Sequence, residues 1–366
     1  MKNIIVIGLL VALSTGCSSP QQDQVIVNES SHSWAMLDFV KVDSINPILK
    51  PSPDQIFTNP INGETTEWEE RNVLNPSAVV RDGKVYLIYR AQDQQMTSRL
   101  GLATSDDGLH FTKQPEPIFY PDKDSMRTYE WPGGVEDPRV VESEDGTYIM
   151  TYTSYDGKVA RLCLASSKDL QTWTKHGLVL TGKYKDAWSK SGAIVSKLID
   201  EKIIATKING KYWMYFGDTD LFVATSADLI HWEVEEGEET KKLIPVLHPR
   251  SGYFDSRLVE PGPFALLRDE GILLIYNGSN APNYNDAGLP KFTYAAGQAL
   301  FDKDKPYKLI DRLADYFIHP EKDYEKTGEV NEVCFVEGLV FFKGKWFLYY
   351  GTADSKIAVA VRDQIQ

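Results

Sequence analysis

A chain of 366 residues with 42% hydrophobic and 25% charged residues is long enough for one large core and too evenly mixed to be disordered. A formal net charge of −13 and a pI near 5.0 leave no broad basic surface for a phosphate backbone, which excludes nucleic acid as a partner. Its six histidines are scattered and no Cys/His cluster has zinc spacing, so neither a metal nor another cofactor is expected.

The chain opens with Lys2, an apolar run over 4–13, and the small residues Ser14, Thr15 and Gly16 ahead of Cys17. That run is too short to span a bilayer as a helix. It reads as a lipoprotein signal over 1–17 with a lipidated Cys17, followed by a flexible polar tether over 18–35. The protein is therefore expected to be exported, as a periplasmic or cell-surface lipoprotein held to the membrane by its lipid. With Cys17 so assigned, Cys163 and Cys334 sit in apolar, strand-like contexts and are expected as two buried thiols.

The remaining chain, 36–366, is expected to be one domain built on an internal repeat that begins near 75. Before the repeat, Pro47, Pro51 and Pro53 mark an irregular segment that is expected to close the first and last repeats as a strand or lid. An aromatic-rich strand then recurs at 86–89, 148–152, 212–215, 272–276 and 346–350, each after a turn containing glycine. Three copies continue into a strand closing in Ala-Thr-Ser or Ala-Ser-Ser, then an aspartate and an aromatic, with Asp107, Asp169 and Asp228 in the tail. These aspartates, with Asp106 and the hairpin residues Asp82 and Asp145, are expected to form turns, and Trp173 and Trp232 to pack. The pattern predicts an all-β chain, a five-bladed β-propeller with blade cores near 75–114, 136–176, 191–234, 259–312 and 335–363.

In a propeller the innermost strand of each blade runs along the central channel, so the residues opening each first strand should converge. Those are Asn75, Glu136-Asp137, Lys190-Ser191, Glu260 and Glu337. A second ring stands at the ends of the middle strands: Arg90 with Asp93, Asp156, Asp218 with Asp220, Asn277 with Asn280, and Asp354. Polar groups gathered at a channel mouth cost free energy unless paired, and glycoside cleavage needs a gathering of this kind. One carboxylic acid protonates the leaving oxygen while a second carboxylate activates water or acts as nucleophile. Asp137 and Glu260 are the leading candidates, because no repeat-wide structural role demands a carboxylate there. Glu337 and Asp218 serve equally well as partners that orient Arg90 or Lys190.

At these residues the chain resembles glycoside hydrolase family 130, whose members cleave β-mannosides by phosphorolysis or hydrolysis. The resemblance rests on Asn75-Pro76, Tyr89-Arg90-Ala91, Gly134-Val135-Glu136-Asp137-Pro138-Arg139, Lys190-Ser191-Gly192-Ala193, Phe254-Asp255-Ser256 with Glu260, and Ala353-Asp354-Ser355. It implies inversion at the anomeric carbon and Asp137 as the general acid, acting through a sugar hydroxyl. It further implies that Asn75 and Arg90 line the sugar and phosphate pocket, with Arg139, Lys190, Glu337 and Asp354 as further substrate contacts. The phrase Phe216-Gly217-Asp218 carries an acid where many phosphorylases of the family carry arginine, which disfavours a phosphate dianion. The expected activity is thus hydrolysis of a β-mannoside oligosaccharide, with β-1,2-linked mannose as the expected linkage, Asp137 as acid and Glu260 or Asp218 as base. Inorganic phosphate is a partner only if the chain is a phosphorylase producing mannose 1-phosphate, the alternative reading. A carbohydrate-binding propeller without turnover is the alternative from another class.

Overall fold

The computed structural model describes residues 32–363. The lipoprotein signal, Cys17 and most of the expected tether lie outside the described residues. Trp34 and Ala35, at the end of that tether, are buried, and the Trp34 indole N–H donates to Asp311 at 2.9 Å, so packed structure already begins there.

The described chain is nearly all β. Its helices are limited to the four-residue turns Arg127–Glu130 and Asp323–Lys326 and the 3-10 turn Gly182–Tyr184. Antiparallel hairpins follow one another along the chain, each built on the predicted glycine turn. Asn72–Arg81, Lys84–Gln92, Ser98–Ser105 and Thr112–Lys113 form the first group. Gly134–Glu142, Tyr148–Tyr155, Ala160–Ser167 and Trp173–Leu178 form the next. Ala193–Ile199, Tyr212–Phe216, Phe222–Ser226 and Trp232–Val234 follow, and then Leu258–Pro261, Ile272–Ser279, Tyr294–Phe301 and Leu309–Arg312. Cys334–Phe342, Lys345–Thr352 and Lys356–Asp363 make the last group, and its outer strand is supplied from the other end of the chain. Val40–Lys41 pairs there, with Val40 opposite Val361, which is the closing strand expected from the proline-rich segment.

Apolar side chains pack between neighbouring groups. Val79, Ile88 and Leu102 of the first meet Val140, Met150 and Cys163 of the second, while Val80, Leu87 and Tyr89 meet Val340, Phe347 and Tyr349 of the last. Strands buried on both faces in this way tolerate continuous hydrophobic runs, which is why Asn72–Arg81 and Gly134–Glu142 show little alternation. Asp107, Asp169 and Asp228 are turn-formers as expected, each accepting two backbone N–H groups just ahead of it in the chain. The indoles of Trp173 and Trp232 donate to the carbonyls of Leu170 and Leu229 and pack inward. Cys163 and Cys334 are free, buried thiols.

The inner strands crowd one another. A Cβ on Gly338 would stand 2.7 Å from the Pro76 carbonyl oxygen of the next inner strand, and one on Gly262 3.1 Å from that of Val336 in the next inner strand and 2.9 Å from that of Ile275 in its own group. Only glycine permits these approaches, which accounts for a glycine soon after Glu260 and directly after Glu337.

Candidate active site

Three inner strands carry a β-bulge at the same point, where the pairing register slips between Leu74 and Pro76, between Glu136 and Arg139, and between Val336 and Gly338. A bulge re-aims one side chain out of the ladder. Asn75 and Asp137 occupy two of these bulges with φ of 47° and 50°, and Ser191 and Asp354 adopt 58° and 48°. Backbone in this region is sparsely populated by non-glycine residues and is held by its surroundings.

The result is a cavity of about 370 Å³ lined by Asn75, Arg90, Asp137, Lys190, Glu260 and Asp354, residues spread over most of the chain. Its wall also carries Arg257, the aromatic residues Phe292, Tyr294 and Phe335, and a few aliphatic side chains. A hollow of about 890 Å³ elsewhere includes Lys197, Arg268 and Trp346, but its acids are exposed, Asp269 and Glu270 on one turn and Asp304 on another. The smaller cavity is the one that combines buried carboxylates with buried cations.

Asp137 is the hub. Its Oδ1 accepts from Asn75 Nδ2 at 2.7 Å and from Arg90 Nη1 at 3.1 Å, and Lys190 Nζ stands 3.9 Å from Oδ2. Arg90 also donates through Nη2 to Glu136 at 2.7 Å and through Nε to Ser98 at 2.9 Å. Burial alone would push the Asp137 carboxyl up, but the charges of Arg90, Lys190 and Arg139 and the Asn75 amide outweigh it and hold the group below its ordinary range. Glu136, next in the chain, is raised because burial outweighs its cationic neighbours.

Glu260 has the opposite environment. Burial, aided by the charges of Asp218 and Asp137, raises its carboxyl to about 7 against the lowering effect of Lys190 and Arg139, and the Ser191 hydroxyl donates to its Oε1. Asp354 is likewise pushed up by burial, to about 6, with Arg90 opposing. The cavity thus holds one carboxylate kept ionised and a second able to carry a proton near neutrality, the division that acid–base chemistry requires.

Three expected contacts lie elsewhere. Arg139 does not line the cavity: it is buried beneath it, donating to the carbonyls of Gly262 at 2.6 Å and Pro261 at 2.7 Å and to that of Asp137 at 3.2 Å. Glu337 lies beside it, 3.6 Å from Arg139 Nη2, fully buried and without a hydrogen-bond partner among the described residues. Burial pushes that carboxyl well above its usual range, with the charge of Arg139 opposing. Both were expected on the cavity wall: Arg139 follows a bulge and so points to the other side of its strand, whereas Glu337 occupies a bulge as Asn75 does but without the positive φ of Asn75 and Asp137. Asp218 faces an adjoining hollow, where it accepts from the Trp188 indole N–H at 2.5 Å, and it acts on Glu260 only through its charge.

Of the second ring, Arg90 and Asp354 reach the cavity. Asp93 pairs with Arg99 at 2.7 Å, Asp156 with Arg161 at 2.8 Å, and Asn277 ties its strand to Val336 through both amide atoms. Arg257, Phe292, Tyr294 and Phe335 were not anticipated: Arg257 and Phe292 lie in connections between strands, and Tyr294 and Phe335 lie in strands but away from the polar positions that opened each first strand or ended each middle one. The signal available for Arg257 is its place directly after Phe254-Asp255-Ser256. Among the described residues no group of three or more His, Cys, Asp or Glu is placed to hold a metal ion.

A nearly all-β, propeller-like body with paired carboxylates in a polar cavity is the architecture of enzymes that work on sugars. The sequence model of glycoside hydrolase family 130, described as beta-1,4-mannooligosaccharide phosphorylase, matches residues 42–365. A 1,2-beta-oligomannan phosphorylase of Thermoanaerobacter sp. (strain X514) is 32% identical over 329 residues, 87% of this chain and 95% of that protein. Among solved structures, a glycosyl hydrolase from Bacteroides ovatus is 43% identical with a TM-score of 0.88, covering 90% of this chain and 94% of its own. Another, 41% identical with a TM-score of 0.89 and covering 90% and 95%, comes from work on family 130 glycoside hydrolases that target β-1,2 mannosidic linkages in Candida mannan. The chain belongs to glycoside hydrolase family 130, enzymes that act on β-mannosides.

Proposed function

We propose that this protein is an inverting β-mannosidase that hydrolyses β-1,2-linked mannose, built as a five-bladed propeller and exported as a lipoprotein through Cys17. The observation that carries the reading is the pairing, in one cavity, of an ionised Asp137 with a Glu260 that titrates near 7. Hydrolysis breaks the bond between the anomeric carbon and the leaving oxygen and forms one to a water oxygen. One carboxyl supplies a proton to the leaving oxygen and the other takes a proton from the water.

With Asp137 as donor through a sugar hydroxyl and Glu260 as base, the working state has its proton on Asp137. In the empty cavity that proton rests on Glu260. Both arrangements contain one proton for the pair, so the pH range of activity is the same for each and only the working fraction differs. The pair keeps this proton between the lowered value of Asp137 and about 7.

Charge supports water over phosphate as the attacking group. Arg90 and Lys190 already face Glu136 and Asp137, and Glu260 and Asp354 add further acid, so among the described residues Arg257 is left as the lining cation without an ion pair, a single charge set against a dianion. Phosphorolysis is the second reading, favoured by the activity named for the Thermoanaerobacter relative. Purified protein incubated with β-1,2-mannobiose, with and without inorganic phosphate, separates the two. Free mannose in both reactions is expected; mannose 1-phosphate, formed only when phosphate is present, contradicts the proposal.

A further inference from the structure

Of the eight tryptophans in the chain, Trp188 is the exposed one, at 52%. A single exposed indole needs no explanation by itself, so its setting decides what it can do. The ring is not loose. Its N–H donates to Asp218 at 2.5 Å, the Tyr155 ring meets it edge-on at 6.4 Å between centroids, and Lys190 Nζ stands 5.8 Å from its centre. The Gly217 N–H donates to the Lys190 carbonyl at 3.0 Å, which ties the segment bearing Trp188 to the turn bearing Asp218. A ring fixed on one side and open on the other loses little freedom when a ligand stacks on it.

Trp188 also stands beside the catalytic cavity. Lys190 touches both, with its Nζ 3.9 Å from Asp137 Oδ2, and Asp218 acts on Glu260 by charge. Next to the ring is a hollow of about 330 Å³ lined by Trp188, Asp218, Thr219, Asp220, Phe216 and Phe222 among others. Its polar groups are hydroxyl and carboxylate, and one of the latter, Asp220, is shared with His248 at 2.8 Å. Carboxylates beside an aromatic face accept sugar hydroxyls while the ring takes the C–H face, and they repel phosphate or acidic sugars.

We infer that Trp188, with Asp218 and Asp220, forms a second sugar-binding platform outside the cavity, which holds a distal neutral sugar of an oligosaccharide whose scissile end lies at Asp137 and Glu260. The inference rests on the proposed mannosidase reading and extends it, since it makes longer β-mannooligosaccharides better substrates than the disaccharide.

The test is the ratio of kcat/KM for a β-1,2-mannotetraose to that for β-1,2-mannobiose, in the wild type, Trp188→Ala and Trp188→Phe. The wild type should favour the longer chain, Trp188→Ala should lose about five- to tenfold of that preference, and Trp188→Phe should keep most of it. Equal use of both substrates by the wild type, an unchanged ratio in Trp188→Ala, or equal loss in both variants overturns the platform. If no mannoside is turned over at all, the mannosidase reading has failed. Calorimetric binding of mannotetraose to wild type and Trp188→Ala still decides the platform in that case, supporting it if the alanine variant binds more weakly and overturning it if the two bind alike.

Discussion

Glu260→Gln should abolish turnover and yet stabilise the fold in alkaline solution. Glu260 is buried, and its carboxyl rises from an ordinary 4.5 to about 7. A carboxyl raised by folding favours the native state while it is protonated, and that contribution is lost as pH climbs through the folded value. The interval from 4.5 to about 7, at about 1.4 kcal/mol per pH unit, corresponds to roughly 3 kcal/mol. The amide introduced by Glu260→Gln is a neutral isostere that still accepts the Ser191 hydroxyl, so the variant should match the wild type near pH 4 and exceed it by roughly 3 kcal/mol at about pH 8.5. Asp354, raised to about 6, titrates in both proteins and largely cancels in the comparison. Urea unfolding of the two proteins across this range measures the difference directly. A difference that does not change with pH would mean that Glu260 carries no proton near neutrality, and the acid–base argument would fall with it.

Asp137→Asn should lower kcat by at least about a hundredfold while still binding oligosaccharide, as measured by calorimetry beside the rate assay. The plot of kcat/KM against pH should fall above about 7, where the Asp137 and Glu260 pair gives up its last proton, and should stay level for at least a unit below that. Arg90→Met should cost about 3–5 kcal/mol in urea unfolding, because it leaves Glu136 and Asp137 buried without their shared cation.

Much of the architecture is legible in the sequence, for a physical reason. Each hairpin needs its own glycine turn, and each middle strand must fill the space between two sheets with aromatic residues such as Tyr89, Tyr152, Tyr215, Tyr276 and Tyr349. Spacing alone therefore locates the inner strands, and with them Asn75, Asp137, Lys190 and Glu260. Depth is harder to read. Glu337 occupies a bulge as Asn75 does, but it lacks the positive φ of Asn75 and Asp137, and its carboxyl lies toward Arg139. Asp218 ends a middle strand as Arg90 does, but Gly217, at φ 129°, turns the chain so that the carboxylate faces Trp188. Pattern reports which residue occurs, whereas a local twist decides which way it points. Phe292 and Arg257 come from connections that follow no repeat, so nothing in the periodicity could select them.

The central claim is that one cavity uses Asp137 and Glu260 to direct water to a β-mannosidic bond. Following β-1,2-mannobiose by proton NMR in phosphate-free buffer tests it most directly. Inversion releases the non-reducing mannose as the α anomer, while the reducing-end mannose is already an anomeric mixture. The account predicts that newly formed mannose starts with an excess of α over its equilibrium share and relaxes later; no product without phosphate, or an initial excess of β, would contradict it.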